Sequence, residues 1–306
     1  MNPFTDTIMA ALGYAPVDPE PGVITRFATS PKASKRDGWC ILFGDRQGGA
    51  FGCYRTGINE TWQARGQRPL TGAERIARAV AIEQATKARL AERAAHWADN
   101  LKKWEPVWRR AAPLHDCAAA QYMESRGFEV LFGRWPQSLR CTRLDYWHDG
   151  QKLGTFPVML SAVQGADGRM VALHRTYLND DGTKAKVPTV KKLTGAFGLV
   201  MGAAVRLFPA AERIGAAEGI ETAVAAYLGS GIPTWAAVSA GGLEAFVWPA
   251  PVRDLFVFAD NDDNNRGQQA AQRLACRAAS AGLAVRVLTP SEAGRDWADV
   301  YAEGST

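Results

Sequence analysis

The chain has 306 residues, 47 % of them hydrophobic, and carries a net charge of +5, so it is long and apolar enough to bury at least one sizeable core and to divide into two or three domains. No run approaches the roughly eighteen apolar residues of a membrane span, and Met1 to Tyr14 lacks the charged start of a secretory signal. A cytoplasmic protein with no membrane partner is expected.

Charge is spread unevenly. Residues 1–150 hold 21 basic and 16 acidic side chains, residues 151–192 seven and three, and residues 193–306 eight and twelve, giving +5, +4 and −4. A basic flank beside an acidic end suits a protein that holds a polyanion next to a cation, although a solvated surface accounts equally well for the first 150 residues. The five cysteines, Cys40, Cys53, Cys117, Cys141 and Cys276, are scattered without any Cys-x-x-Cys spacing. Neither a disulfide framework nor a zinc site is expected, and each is read as a small buried apolar residue.

In chain order, residues 20–65 alternate short apolar runs with glycine turns, as in Gly38 to Gly44 and Gly48 to Arg55. This predicts a small antiparallel sheet. Trp39 and Phe51 are assigned to its core, and Tyr54 with Arg55 to a surface that meets nucleic acid. From Thr71 to about Ala112 the composition is rich in Ala, Glu and Arg. This predicts one long helix capped by Thr71 with Glu74 in capping-box position and kinked or broken at Pro106. Its basic residues fit either nucleic-acid contact or a solvated face. A further helix runs from Asp116 to a glycine stop at Gly127. Phe156 to Leu160, a turn at Gly165 to Gly168, and Met170 to Thr176 predict a hairpin, with another turn at Asp181-Gly182. His174 and Arg175 alternate along its second strand, so the two point to opposite faces. Arg175, Lys191 and Lys192 are placed near phosphates.

Two segments then repeat one pattern. Ile214 to Thr222 and Leu255 to Asp262 are each a short apolar run ending in carboxylates and followed by an alanine-rich helical stretch. This predicts strand, loop and helix in an open parallel sheet, whose ligands bind at the strands' carboxyl ends. Asp260 and Asp262, turned to one side at a strand end, repel each other unless a cation neutralises them. Mg²⁺ or Mn²⁺ suits so sparse a cluster, because such ions take one or two carboxylates and complete their shell with water and substrate phosphates. Glu218 is assigned to metal binding or proton handling. Glu221, in the first turn of the next helix, is read as favouring the helix dipole. Asp296 reads equally well as a helix N-cap.

The order Ala217-Glu218-Gly219-Ile220-Glu221-Thr222-Ala223, Ser239-Ala240-Gly241-Gly242-Leu243, Phe258-Ala259-Asp260-Asn261-Asp262 and Gly294-Arg295-Asp296-Trp297-Ala298-Asp299 resembles the Toprim domain, in the wording of primases from phages and mobile elements. The likeness spans about Ile214 to Tyr301 and extends more weakly to Asp145. It implies Glu218 as the catalytic glutamate, Asp260 and Asp262 as metal ligands, and Asp296 and Asp299 as a less constant acidic motif. The Phe156-Pro157-Val158, Asp167-Gly168-Arg169 and His174-Arg175 pattern is similar to the subdomain that precedes Toprim in bacterial-type primases. Gly52 to Trp62 faintly resembles the start of phage primase-helicases.

The expected architecture is therefore α/β: a Toprim-type open parallel sheet flanked by helices over 213–306, an α+β subdomain over 145–212, a helical region over 69–144 and a small β-rich domain over 1–68. The resemblance implies a DNA primase that copies single-stranded DNA into short RNA primers from nucleoside triphosphates. The alternatives are a Toprim nuclease with water as nucleophile and a catalytically silent single-stranded-DNA-binding replication protein. No Gly-x-x-x-x-Gly-Lys-Ser/Thr motif occurs, so a replicative helicase is expected to act in trans.

Overall fold

The computed structural model describes residues 3–31, 36–54, 56–64, 71–131, 134–261 and 265–304, and these form two compact units, 1–95 and 96–306. Arg55 and Asp262 lie outside the described residues. No helix among them is long and apolar enough to cross a membrane.

The first unit begins with α1 (Pro3–Leu12) and the strands β1 (Thr25–Phe27), β2 (Gly38–Leu42), β3 (Gly48–Cys53) and β4 (Asn59–Gln63), which pair antiparallel in the order β1-β2-β3-β4. Every residue of β2 is buried because both faces of this sheet are covered. Phe4 and Ile8 of α1 pack with Phe27, Cys40, Leu42 and Phe51 on one face. Trp39, Ile41 and Phe43 face the other way, against the helix α2 (Gly72–Arg110). Trp39 and Phe51 are thus core residues, as their apolar bulk requires.

The capping box that starts α2 is present: the Glu74 carboxylate accepts from the Thr71 backbone N–H at 2.8 Å, and Thr71 Oγ1 accepts from the Glu74 N–H at 3.3 Å. The expected break at Pro106 is absent, since the helix continues to Arg110. A proline removes one backbone hydrogen bond. Here the flanking turns are held by other contacts, with Trp104, Val107 and Trp108 packed on the core of the second unit.

The second unit continues with β5 (Ala112–Pro113), α3 (Ala118–Glu124), β6 (Leu139–His148), β7 (Gln151–Gln164), β8 (Met170–Tyr177), β9 (Lys191–Leu193) and β10 (Ala204–Val205). It ends with β11 (Arg213–Ala217), α4 (Ile220–Ser230), β12 (Thr234–Ala236), α5 (Ala240–Ala245), β13 (Asp254–Phe258), α6 (Arg266–Ser280), β14 (Ala284–Leu288) and α7 (Trp297–Gly304). Among the described residues the strands join in one ten-stranded sheet, ordered β14-β13-β11-β12-β10-β7-β6-β5, with β8 on β7 and β9 on β8. The boundary expected at 145 falls inside β6, and the one at 212 lies between strands of this same sheet.

β11, β12, β13 and β14 are parallel to one another, and β10 joins them antiparallel to the β6–β9 meander. Pro157 to Val163 in β7 are buried without alternation because both faces are covered. Met159 and Val163 meet α3 and α4, while Val158 and Leu160 meet Tyr146, Leu173 and Tyr177. On the parallel part, Ile220, Ala223 and Val224 of α4 pack on one face and Leu243 of α5 and Leu274 of α6 on the other. Of the cysteines, Cys40 and Cys53 are buried, Cys117 and Cys141 are half-buried, and Cys276 is exposed. Cys276 therefore departs from the buried assignment: it lies on the solvent side of α6, where Gln272 Nε2 is 3.7 Å from its sulfur.

Candidate active site at the ends of two parallel strands

β11 and β13 are neighbours in register, Ala217 opposite Phe258, so Glu218 and Asp260 follow adjacent strand ends, one and two residues past that pair. After β11 the chain enters α4 on one face, and after β13 it enters α6 on the other. The two carboxylates thus stand at a switch point in strand connection, where open α/β sheets leave a crevice. The middle of β11 is crowded: a Cβ on Gly215 would lie 2.2 Å from Thr234 Oγ1.

Two loops fix the positions. Thr222 Oγ1 in the first turn of α4 donates to Asp260 Oδ1 at 3.0 Å, linking the two strand ends. The Val238 N–H donates to the Glu218 carbonyl at 2.9 Å, and the Ala237 N–H to the Ala217 carbonyl at 2.8 Å. Val238 adopts φ +59°, a conformation that costs a β-branched residue strain. Immediately after it Ser239 caps α5, its Oγ accepting from the Gly242 N–H at 3.0 Å. Asn261 is held by its backbone to Arg295 O and Gly294 N and by its side-chain amide to Pro290 O.

Beside α4 stands a buried polar cluster that spacing did not reveal. Glu221 is 5 % exposed and accepts from Tyr122 O–H at 2.6 Å and from Lys191 Nζ at 3.0 Å. Burial alone would raise its pKa, but the Lys191 charge and the Tyr122 hydrogen bond outweigh that and hold it at about 2. Burial and the Glu221 charge push the Tyr122 hydroxyl upward in turn. His174 shares this environment, and burial followed by the Lys191 charge lowers its pKa to about 4, which leaves it neutral near pH 7. Glu221 is therefore more than a helix-dipole acid: it is the buried anchor of Lys191.

The pairing of β8 with β9 explains which basic residues come to this place. Thr176 lies opposite Lys191 and His174 opposite Leu193, so Lys191 and His174 share the face that meets α4. Arg175 lies opposite Lys192, and both point the other way. The Arg175 guanidinium sits 4.9 Å from the Trp104 ring centroid and donates to Tyr177 Oη and Leu193 O, while Lys192 Nζ sits 3.9 Å from the Tyr146 ring centroid and donates to Trp147 O. The structure therefore ties Lys191 to Glu221 in the first turn of α4 and places Arg175 and Lys192 on the opposite face of the ribbon.

Asp296 and Asp299 form a reciprocal cap at the start of α7. Asp296 Oδ1 accepts from the Asp299 N–H at 2.8 Å, and Asp299 Oδ2 from the Asp296 N–H at 3.3 Å. Arg126 bridges both carboxylates, at 3.4 and 3.1 Å, tying α7 to the loop after α3. Among the described residues no group of three or more His, Cys, Asp or Glu is placed to hold a metal ion. The expected third carboxylate, Asp262, is outside them.

Comparison with known proteins adds to this geometry. Residues 213–306 match the Toprim domain, and residues 98–207 match a domain of unknown function (DUF7146). No curated protein matches the chain. Among solved structures, a DNA primase domain from Pseudomonas aeruginosa is 15 % identical, with 52 % of this chain and 51 % of that one covered and a TM-score of 0.35. The RNA polymerase domain of Mycobacterium tuberculosis primase DnaG is 15 % identical over 66 % of this chain and 78 % of that one, with a TM-score of 0.40. The primase fragment of the bacteriophage T7 primase-helicase protein is 12 % identical over 92 % and 95 %, with a TM-score of 0.39. The chain thus spans about half the length of the Pseudomonas domain. With the motif order, strand ends and family match in agreement, residues 213–306 are a Toprim domain.

Proposed function

We propose that the protein is a primase-like nucleotidyltransferase that copies single-stranded DNA into short RNA primers, in the cytoplasm, for a phage, plasmid or integrated element, beside a helicase supplied in trans. The observation that carries this reading is the pairing, inside a Toprim domain, of Glu218 and Asp260 at the ends of adjacent parallel strands, with Thr222 bonded to Asp260.

Among the described residues the donors at the two strand ends are the carboxylates of Glu218 and Asp260, and carboxylate oxygens fit a hard divalent cation such as Mg²⁺ or Mn²⁺. Asp260 and Asp262 would hold it, with Glu218 either completing the set or taking the proton of the attacking 3′ hydroxyl. When bound, the cation neutralises charge on the triphosphate and on the departing pyrophosphate. The protein's own residues orient the reactants. Lys191, 41 % exposed at its side chain and fixed at its ammonium by Glu221, presents a positive charge to a phosphate entering beside α4. Thr222 holds the Asp260 carboxylate through the hydrogen bond to its Oδ1. The capping pair Asp296 and Asp299 acts on structure, through α7 and Arg126, in this reading.

Incubating the chain with single-stranded DNA, labelled ribonucleotides and Mg²⁺ or Mn²⁺ tests the proposal. Labelled oligonucleotides that depend on Asp260 are the expected product. Shortened template without primers would establish a nuclease instead, and DNA retention without any product would establish a binding protein.

A further inference from the structure

α2 carries an outward stripe that the chemistry above does not use. One side of its first half faces the small sheet, with Arg78 over Phe43, Arg89 over Trp39 and Glu92 paired with Arg26. The opposite side presents Ile76, Val80, Glu83, Lys87, Leu90 and Ala94, in steps of alternately four and three residues. That alternation is the seam of a two-helix coiled coil. Ile76 is 68 % exposed, and Val80 and Leu90 are each 46 % exposed, an unusual placement for three branched apolar side chains on one line of a helix.

We infer that this seam pairs antiparallel with the same helix of a second copy of the chain. The charges in its middle select that occupant. In a parallel, in-register pair Glu83 would face Glu83 and Lys87 would face Lys87. In an antiparallel pair centred level with residue 85, Glu83 meets the second copy's Lys87, Val80 meets Leu90 and Ile76 meets Ala94. Every apolar position then meets an apolar one, and each charge meets its opposite twice, as a two-fold axis requires. Ala73, Ala79 and Ala91 flank the seam and let the two backbones approach closely. The seam runs about 28 Å at the helical rise per residue, so the dimer is reversible and dissociates on dilution.

Sedimentation equilibrium of the full chain over a range of concentrations reads this directly. A monomer–dimer equilibrium is expected for the unaltered chain. Lys87→Glu and Glu83→Lys should each weaken it at least about tenfold by bringing like charges together, and the double exchange E83K/K87E should recover affinity to within about threefold. Leu90→Glu should abolish dimers while the circular dichroism spectrum keeps its helical content. A chain that stays monomeric at every concentration would overturn the inference. So would dimers that ignore Leu90→Glu, or single charge reversals that the double exchange fails to rescue.

Discussion

The two faces of the β8–β9 ribbon hold the same kinds of residue and put them to different uses. On one face Lys191 reaches a buried carboxylate at the entrance of α4, and its side chain stays partly open to solvent. On the other, Arg175 and Lys192 lie over aromatic rings and donate to backbone carbonyls, which uses their charge to close a core. Two lysines adjacent in sequence differ because a strand sends successive side chains to opposite faces. A basic cluster in a sequence is therefore not a basic cluster in space.

The sharpest separation of the faces is in turnover. Asp260→Asn and Glu218→Gln should each lower primer synthesis by at least about 100-fold, the range for removing a group that acts in the transition state. Arg175→Ala and Lys192→Met should stay within about threefold once corrected for the folded fraction, and melting curves alongside the assay supply that correction. Equal loss on both faces would erase the contrast.

Next in size is stability. Lys191→Met leaves the Glu221 carboxylate buried without its counter-charge and should cost about 3 kcal/mol in urea unfolding, while Lys192→Met should cost about 1 kcal/mol or less. The same pair governs acid behaviour. Glu221 is held at about 2, against 4.5 for the unperturbed group, so its contribution is present above pH 4.5 and is lost as pH falls toward 2. Glu221→Gln should flatten that part of the stability profile.

His174 gives a smaller effect in a different window. Its pKa falls from 6.5 to about 4, so the unfolded chain takes up a proton before the folded one does. Stability should decline as pH drops from about 6.5 to 4, and His174→Gln should remove this decline. The smallest effect concerns salt: Lys191→Ala should reduce the slope of log affinity for single-stranded DNA against log salt by about 0.7, and Lys192→Ala should leave it unchanged. A slope that responds equally to both would place both lysines on the template.

Much of this was legible in the sequence where local rules decide. The strand ends at Glu218 and Asp260 announce themselves by an apolar run that stops at a carboxylate, and Thr71 with Glu74 announces a helix start. The Asp296 alternative as an N-cap was legible for the same reason. The Glu221 cluster was not, because its partners Tyr122 and Lys191 lie 99 and 30 residues away, and no spacing rule reports a contact made by folding one sheet. Of the kink or break expected at Pro106, the break does not occur, because propensity weighs a residue alone whereas its neighbours Trp104, Val107 and Trp108 are anchored by tertiary packing.

Val238 has an implication for how the site opens. Its left-handed backbone delivers the N–H that holds the Glu218 carbonyl, so the strand end is latched by a residue that stores about 1–3 kcal/mol of conformational strain. A glycine at 238 would relax that strain and raise the melting temperature, while widening the range of angles open to the loop. Glu218 would then sit in a more stable protein on a slacker hinge, and amide exchange at residue 238 would quicken even as the whole molecule became harder to unfold.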